Sequence, residues 1–370
     1  MSVYVIILIL IVGLGLLMPQ QGYRRKWYIV IMAAVHIFVC GFRYMYLTGD
    51  LRSYASDYYS IINSGWLSDK VLNEGRNTGF YMLMKLFSQL TNSDFQIFLL
   101  FIAVVTEIVL AVLIYKYSPS PWCSYLVWNC ITFYIFGFSA IKQALAMGLI
   151  MWALIYVFEE KPKKYLLLVL LAGTIHMPAL VFLPVYWLAK IKINFTTLVG
   201  YLFAGAAVYV FRSPLVNAIG AIYYEDETFV LSSSSLGGRF VMIAVIVLCG
   251  FILKGFEDKN FSKLTHIIAI AAICQMLSGF DNIFTRLTDY FFQCSVLYIP
   301  MIFSSYSINT EIDHNSAKAI LPFNDRSLRI LLVAVSIVLI WYYYQYCLSV
   351  DIAYEVDNYL NFRFMWDVVE

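Results

Sequence analysis

Long apolar runs recur along this chain of 370 residues and constrain its fold more than any other feature. A membrane-spanning helix needs about 20 predominantly apolar residues, and many runs here reach that length. Only 13% of the residues are charged, which is about half the share found in soluble domains. That share is too small to cover a soluble globule with polar surface. The sequence therefore predicts an all-α polytopic membrane protein.

Ten runs are predicted to be transmembrane helices, within one integral membrane domain over residues 1–370. The predicted spans lie near 3–19, 27–46, 95–116, 120–137, 139–158, 195–212, 239–255, 264–280, 284–305 and 327–349. The net charge is only +2, and no basic stripe indicates a nucleic-acid partner.

The run at 165–189 differs from the others because it contains helix breakers and lies between two basic clusters, 161–164 and 190–192. Basic residues favour the cytoplasmic side, so both ends of the run are predicted to lie there. Two half-helices broken beside Pro178 would form a re-entrant helical hairpin with His176 near its tip. Non-helical backbone at membrane depth is tolerated only where protein or water covers it, so this hairpin implies a polar cavity.

The distribution of Lys and Arg also predicts the orientation. We place the basic loop at 24–26 on the cytoplasmic side of the membrane. Most Lys and Arg residues of the loops then lie on that side, and most acidic residues lie in the spans or on the outer side. The loops 47–94 and 213–238 and the tail 350–370 then face outward. The polar loop 305–325 then faces inward.

Cations are predicted to converge near the outer face of the membrane. They include Arg43, Lys142, Arg239 and Arg286. Ionisable groups at or within spans are costly unless they are solvated or paired. A polyanion such as a diphosphate would satisfy several of them at once. Each of these residues taken alone could instead extend to lipid headgroups.

Three residues are candidate proton acceptors: Asp50, Glu74 and His176. The carboxylates could instead cap the outer loop or form salt bridges with Arg52 or Arg76, and a buried histidine could be a satisfied core residue. Four scattered histidines without metal-ligand spacing give no reason to predict a metal, and no cofactor is predicted.

Several segments resemble, in order, the motifs of one family. They are Phe42-Arg43, Gly49-Asp50 and Tyr54; Glu74 with Gly79-Phe80; Ile141-Lys142-Gln143-Ala144-Leu145-Ala146; Leu171-Ala172-Gly173 through His176 with Ala179-Leu180; and Arg286 with Tyr290. Together they resemble the EpsG family of Wzy-type polysaccharide polymerases. The chain departs from the family pattern at Thr48-Gly49-Asp50, which replaces Gly-Thr-Asp. It also departs at Lys142, where the family usually has arginine. The forked N–H donors of a guanidinium are thus replaced by the single point charge of an ammonium.

The resemblance implies an enzyme that transfers a growing glycan from undecaprenyl diphosphate to a lipid-linked repeat unit. It would act at the outer face of the bacterial cytoplasmic membrane, with a flippase and a chain-length regulator as candidate partners. The four cations would bind the donor diphosphate, and the three proton acceptors would supply the base. Aromatic rings would contact sugars, namely Tyr54, Trp66 and Tyr290.

Two other functions fit the residues. A transporter or flippase for a lipid-linked glycan would use the same cationic cavity without a base. A membrane O-acyltransferase acting on a glycan would need a catalytic histidine, for which His176 is the candidate.

Overall fold

The computed structural model describes most of the chain and is helical throughout the part it describes. The described residues are 2–18, 21–72, 77–92, 94–223, 236–254, 258–280, 282–304, 325–353 and 362–367. Within these ranges there is no strand, and one isolated antiparallel bridge joins Arg43 to Phe364. The predicted all-α class is confirmed.

The α-helices of the described residues follow one another with short connections. They are α1 (Ser2–Leu17), α2 (Gly22–Gly41), α3 (Gly49–Ile62), α4 (Asp69–Leu72), α5 (Thr78–Thr91), α6 (Phe95–Tyr117), α7 (Pro121–Cys130), α8 (Phe133–Phe136), α9 (Ile141–Phe158), α10 (Pro162–Ile175), α11 (Val185–Leu188), α12 (Phe195–Val210), α13 (Arg212–Tyr223), α14 (Gly237–Leu253), α15 (Lys259–Gln275), α16 (Asn282–Phe292), α17 (Ser295–Ile302) and α18 (Asp325–Ala353). They fall into two compact units, residues 1–180 with 330–370 and residues 181–329.

Two helices of the described part, α6 and α9, are long and apolar enough to cross a membrane. A third span is possible if α12 and the start of α13 count as one, although the pair is bent by 76°. Pro214 lies just after this bend, in the first turn of α13, where proline is well tolerated because its missing N–H has no partner within the helix. Shorter apolar helices lie at Val3–Leu17, Met177–Leu188, Gly237–Leu253 and Ile330–Tyr346. The total of ten spans stays a prediction.

The predicted span 120–137 is interrupted in the structure. α7 ends at Cys130, and Thr132 takes a left-handed conformation with φ of 70° before the single turn of α8. A left-handed residue cannot continue a right-handed helix, so the segment is two helices instead of one.

Side-chain caps fix where several helices begin. The side chain of Thr48 accepts a hydrogen bond from the backbone N–H of Leu51 at the start of α3. Asp94 does the same for Ile97 at the start of α6. Such caps satisfy backbone donors that have no partner within the helix, each stabilising the helix by about 1 kcal/mol.

The predicted outer segment 47–94 folds as the three helices α3, α4 and α5 in its described part. Lys85 of α5 is buried, and its ammonium donates hydrogen bonds to the carbonyls of Ile61, Ile62 and Ser64 at the end of α3. The same ammonium lies 5.5 Å from the centroid of the Trp66 ring. Lys85 thus joins the end of α3 to α5.

The predicted break near Pro178 is present. α10 ends at Ile175, His176 is extended, and a 3₁₀ helix follows over Met177–Phe182. Pro178 has no N–H and cannot continue the α-helical bonding. Whether this segment re-enters the membrane stays a prediction.

α5 and α10 pack closely at Gly79. A Cβ atom at this position would lie 2.3 Å from the hydroxyl oxygen of Thr174 and 2.8 Å from its Cβ. The close approach of the two helices therefore requires glycine here.

We predict that Gly79→Ala destabilises the protein by about 1–3 kcal/mol, because the added methyl group overpacks this contact. The matched control is Gly13→Ala in α1, where a Cβ would meet no atom within 4 Å. The measurement is the unfolding temperature of the purified protein in detergent. Equal unfolding temperatures for the two variants would contradict the prediction.

Candidate functional site

Lys142 lies in the first turn of α9 and is half-buried. Its ammonium lies 5.6 Å from the centroid of the Tyr54 ring on α3 and 5.7 Å from that of the Tyr81 ring on α5. Each such cation–π contact stabilises by roughly 0.5–2 kcal/mol, more when water is excluded. The rings hold the charge in place without neutralising it.

One face of α3 is directed toward Lys142. Asp50, Tyr54 and Asp57 follow one another at spacings of four and three residues, which places them on the same side of the helix. Asp50 is exposed, and its carboxylate accepts a hydrogen bond of 3.1 Å from the hydroxyl of Ser139. Ser139 lies three residues before Lys142, so the turn that begins α9 also binds the start of α3.

Asp57 is a carboxylate that the sequence analysis did not select. Partial burial raises its pKa above the ordinary value for aspartate, and the nearby ammonium of Lys142 lowers it in part. The pKa of Tyr81 is raised by burial and by the Asp57 carboxylate, which places these groups within electrostatic reach of one another. The feature of the sequence that could have identified Asp57 is its position three residues after Tyr54, on the same helical face. We call Asp50, Tyr54, Asp57, Tyr81 and Lys142 the Lys142 cluster.

Arg43 is almost fully buried, with 1% of its surface exposed. Its guanidinium donates to the carbonyls of Phe138, at 3.1 Å, and of Cys40. It also lies 5.7 Å from the centroid of the Phe138 ring. Arg43 therefore fastens the end of α2 to the turn that precedes Lys142. Its predicted contact with a diphosphate is not tested by these bonds.

The chain near its C-terminus binds beside Arg43. Tyr44 donates its N–H to the carbonyl of Arg363, and Met365 donates to the carbonyl of Phe42, each at 2.8 Å. The Phe364 ring stacks on Trp366 with centroids 4.6 Å apart. The predicted outward-facing tail thus pairs, over its described residues, with the segment that follows α2.

Trp66 and Lys85 lie at the far end of α3 from Asp50. Eleven residues separate Asp50 from Ile61, whose carbonyl binds Lys85, and this corresponds to roughly 16 Å along the helix. Asp57 and Tyr81 of the Lys142 cluster lie four residues before Ile61 and Lys85, which is roughly 6 Å along each helix. Trp66 therefore lies about one helical turn beyond this end of the cluster, and its contact with a sugar stays a prediction.

His176 lies at the junction of α10 with α5. The N–H of the next residue, Met177, donates to the side-chain oxygen of Asn77, which precedes α5, at 3.2 Å. Asn77 is four residues before Tyr81, so this junction fixes the helix that supplies one ring of the Lys142 cluster. Glu74 lies outside the described residues.

In the second unit, Arg239 of α14 forms an ion pair with Asp289 of α16. Asp289 is 6% exposed, and the Arg239 guanidinium also lies 5.6 Å from the centroid of the Phe292 ring. Arg286 is exposed and lies three residues before Asp289 on α16, so its side chain is on the same side of that helix as Asp289. The predicted convergence of Arg239 and Arg286 on a diphosphate stays a prediction. Tyr290 is fully buried, in a packing position.

Comparison with protein-family models gives one match, to the EpsG family, over residues 26–361. The chain belongs to the EpsG family. No curated protein and no solved structure matches it. The family and the apolar helices together indicate a membrane-embedded protein with a polymerase-like function in polysaccharide biosynthesis.

The family match confirms the resemblance seen in the motifs. The structure brings together three elements of those motifs: Asp50, Tyr54 and Lys142. Within the described residues there is no group of three or more His, Cys, Asp or Glu side chains that could hold a metal ion. The motif elements that meet at Lys142 are therefore a cation, carboxylates and aromatic rings.

We predict that Arg43→Lys lowers the stability of the protein by roughly 1–3 kcal/mol, because the single ammonium nitrogen of lysine cannot reproduce the separated Nε and Nη1 donors with which the guanidinium reaches the carbonyls of Phe138 and Cys40. The measurement is the unfolding temperature in detergent. The control is Arg24→Lys, since Arg24 is exposed and bonds only the neighbouring Tyr23 hydroxyl among its described contacts. An unchanged unfolding temperature for Arg43→Lys would show that its hydrogen bonds are dispensable.

Proposed function

We propose that this EpsG-family protein is a membrane glycosyltransferase that polymerises a surface polysaccharide. It would transfer the growing glycan from undecaprenyl diphosphate to a lipid-linked repeat unit at the outer face of the bacterial cytoplasmic membrane. The observation that carries the proposal is the Lys142 cluster, where one cation lies beside carboxylates and aromatic rings in a family of polymerases.

Lys142 would bind the donor diphosphate and stabilise the negative charge that develops on it as it leaves. Its position in the first turn of α9 supports this role, because the start of a helix also carries partial positive charge. Lys142 lies beside the Tyr54 and Tyr81 rings and within electrostatic reach of Asp57, so a cation, a candidate base and sugar-stacking surfaces are close together. We therefore assign Lys142 the main role in binding the diphosphate.

The base would remove the proton of the acceptor hydroxyl as its oxygen attacks the anomeric carbon and the bond to the diphosphate breaks. Asp57 is the preferred candidate because its raised pKa makes it a stronger proton acceptor than an ordinary aspartate. Asp50 is the second candidate, because its carboxylate lies on the same face of α3 and accepts a hydrogen bond from Ser139. Glu74 and His176 remain proposed alternatives.

The other proposed roles rest on residue chemistry and on the family. Arg43, Arg239 and Arg286 are proposed to hold or surround the diphosphate. Tyr54 could combine a cation–π contact to Lys142 with stacking on a sugar. Trp66 and Tyr290 remain proposed sugar contacts. A flippase and a chain-length regulator are proposed partners.

We predict that Lys142→Met lowers kcat/KM for chain growth by roughly 10- to 100-fold, because a charged contact to the donor is lost. Lys142→Arg, which restores the residue usual in the family, should keep most of the activity. The measurement is the ladder of lengthened glycan that the purified protein makes from a lipid-linked repeat unit.

The control for this prediction is Lys70→Met, which removes an exposed cation on α4. Full activity of Lys142→Met would contradict the role of Lys142. Acylated but unlengthened glycan would support an acyltransferase instead. Movement of the lipid-linked unit across vesicles without any lengthening would support a flippase.

We predict that Asp57→Asn reduces kcat by roughly 10²–10⁴-fold. In the unmodified protein, activity should fall as the pH drops through the pKa of Asp57, because the base must be deprotonated to act. Since burial raises that pKa, the fall should occur above the ordinary value of about 3.9. Lys142→Met should move this fall in activity to still higher pH, because the ammonium that lowers the pKa of Asp57 is removed. The measurement is the pH profile of chain growth.

The matched comparison is Asp50→Asn, which neutralises the other carboxylate on the same face of α3. If Asp57→Asn keeps the rate and the pH profile while Asp50→Asn loses both, the base is Asp50. A full rate in both variants would exclude the two aspartates.

A further inference from the structure

An apolar groove of about 400 Å³ runs between α2 and α6 in the first unit. Small side chains keep it open, namely Ala33 and Ala34 on α2 and Ala111 on α6. Its rim is accessible from outside the protein, since Val30 is 46% exposed and Ile108 is 50% exposed. α6 is long and apolar enough to cross a membrane, so this groove opens toward lipid.

The dimensions of the groove fit one hydrocarbon chain. Its lining on α2 extends from Lys26 to Ile37, which corresponds to roughly 17 Å along the helix axis. That is about half of the ~30 Å hydrocarbon core, or the depth of one leaflet. The groove is therefore elongated and lined almost entirely by apolar side chains, which suits one extended hydrocarbon chain.

Positive charge lies at one end of the groove. Lys26 is exposed there and is the one charged residue in the lining. Its neighbour Arg25 donates to the carbonyls of Ile114, Tyr115 and Ser118, at 3.3, 3.0 and 2.7 Å, and so fixes α2 against the end of α6. Tyr115 lines the same end, and tyrosine favours the headgroup level of a membrane.

We propose that this groove is a binding site for one acyl chain of an anionic phospholipid, with the lipid phosphate at Lys26. The apolar walls contact the acyl chain, and the ammonium of Lys26 at the headgroup level favours a lipid with an anionic headgroup. Gly41, which ends α2 beside Arg43, lies roughly 22 Å along the helix from Lys26. The charged end of the groove is thus at the opposite end of α2 from Arg43, so a phosphate bound at Lys26 belongs to a lipid other than the proposed donor.

The experiment measures which lipids the purified full-length protein retains. The protein is exchanged into detergent with an equimolar mixture of phosphatidylglycerol and phosphatidylcholine, and bound lipid is counted by native mass spectrometry. We expect one retained lipid with a preference for phosphatidylglycerol. Lys26→Gln should reduce that preference about fivefold. The double variant Ala34→Leu with Ala111→Leu should fill the groove and lose the bound lipid of either type.

Two matched controls separate the site from general lipid adhesion. Lys163→Gln removes an exposed cation at the start of another helix, and Ala204→Leu enlarges an exposed alanine on α12. Both should retain the lipid as the unmodified protein does. The proposal is overturned if the groove-filling variant keeps its lipid, if Lys26→Gln keeps the full preference, or if the controls lose as much. Displacement of phosphatidylglycerol by equimolar undecaprenyl phosphate would also overturn it.

Discussion

The first unit depends on the buried guanidinium of Arg43 and the carbonyl groups that surround it. A buried cation needs hydrogen-bond acceptors, and the carbonyls of Phe138 and Cys40 accept from Nε and Nη1 of Arg43, whereas Nη2 has no hydrogen-bond partner among the described residues. These bonds join the end of α2 to the turn that begins α9. That turn sets the positions of Ser139, which binds Asp50, and of Lys142. One architectural contact therefore determines where the candidate catalytic groups lie.

The two units hold their cations in different ways. In the first unit, the ammonium of Lys142 contacts the Tyr54 and Tyr81 rings and lies within electrostatic reach of Asp57. In the second unit, Arg239 forms an ion pair with the buried carboxylate of Asp289. The contacts of Lys142 bring a cation, a carboxylate and aromatic rings together, which is the combination that the proposed glycosyl transfer needs.

The two ends of α2 lie beside different kinds of candidate site. Its end at Gly41 leads to Arg43 and the Lys142 cluster, where polar and aromatic groups meet. Its start, near Lys26, borders an apolar groove with a cation at the mouth. The roughly 22 Å between these ends approaches the thickness of the hydrocarbon core. One helix thus separates a site suited to polar chemistry from a site suited to a lipid chain.

The sequence by itself determined the helical class, the break at Pro178 and the family, because these follow from local composition, from a missing backbone N–H and from short ordered motifs. It also selected Asp50 and Tyr54 as candidate site residues, but within a predicted outer loop. Only the structure showed that they share one face of α3 with Asp57, and only the tertiary structure decided which groups meet. The packing of α3, α5 and α9 brings Tyr81 and Asp57 to Lys142 and buries Arg43 among carbonyls. Contacts between helices depend on how their faces pack, and helical periodicity within each segment carries no information about its neighbours.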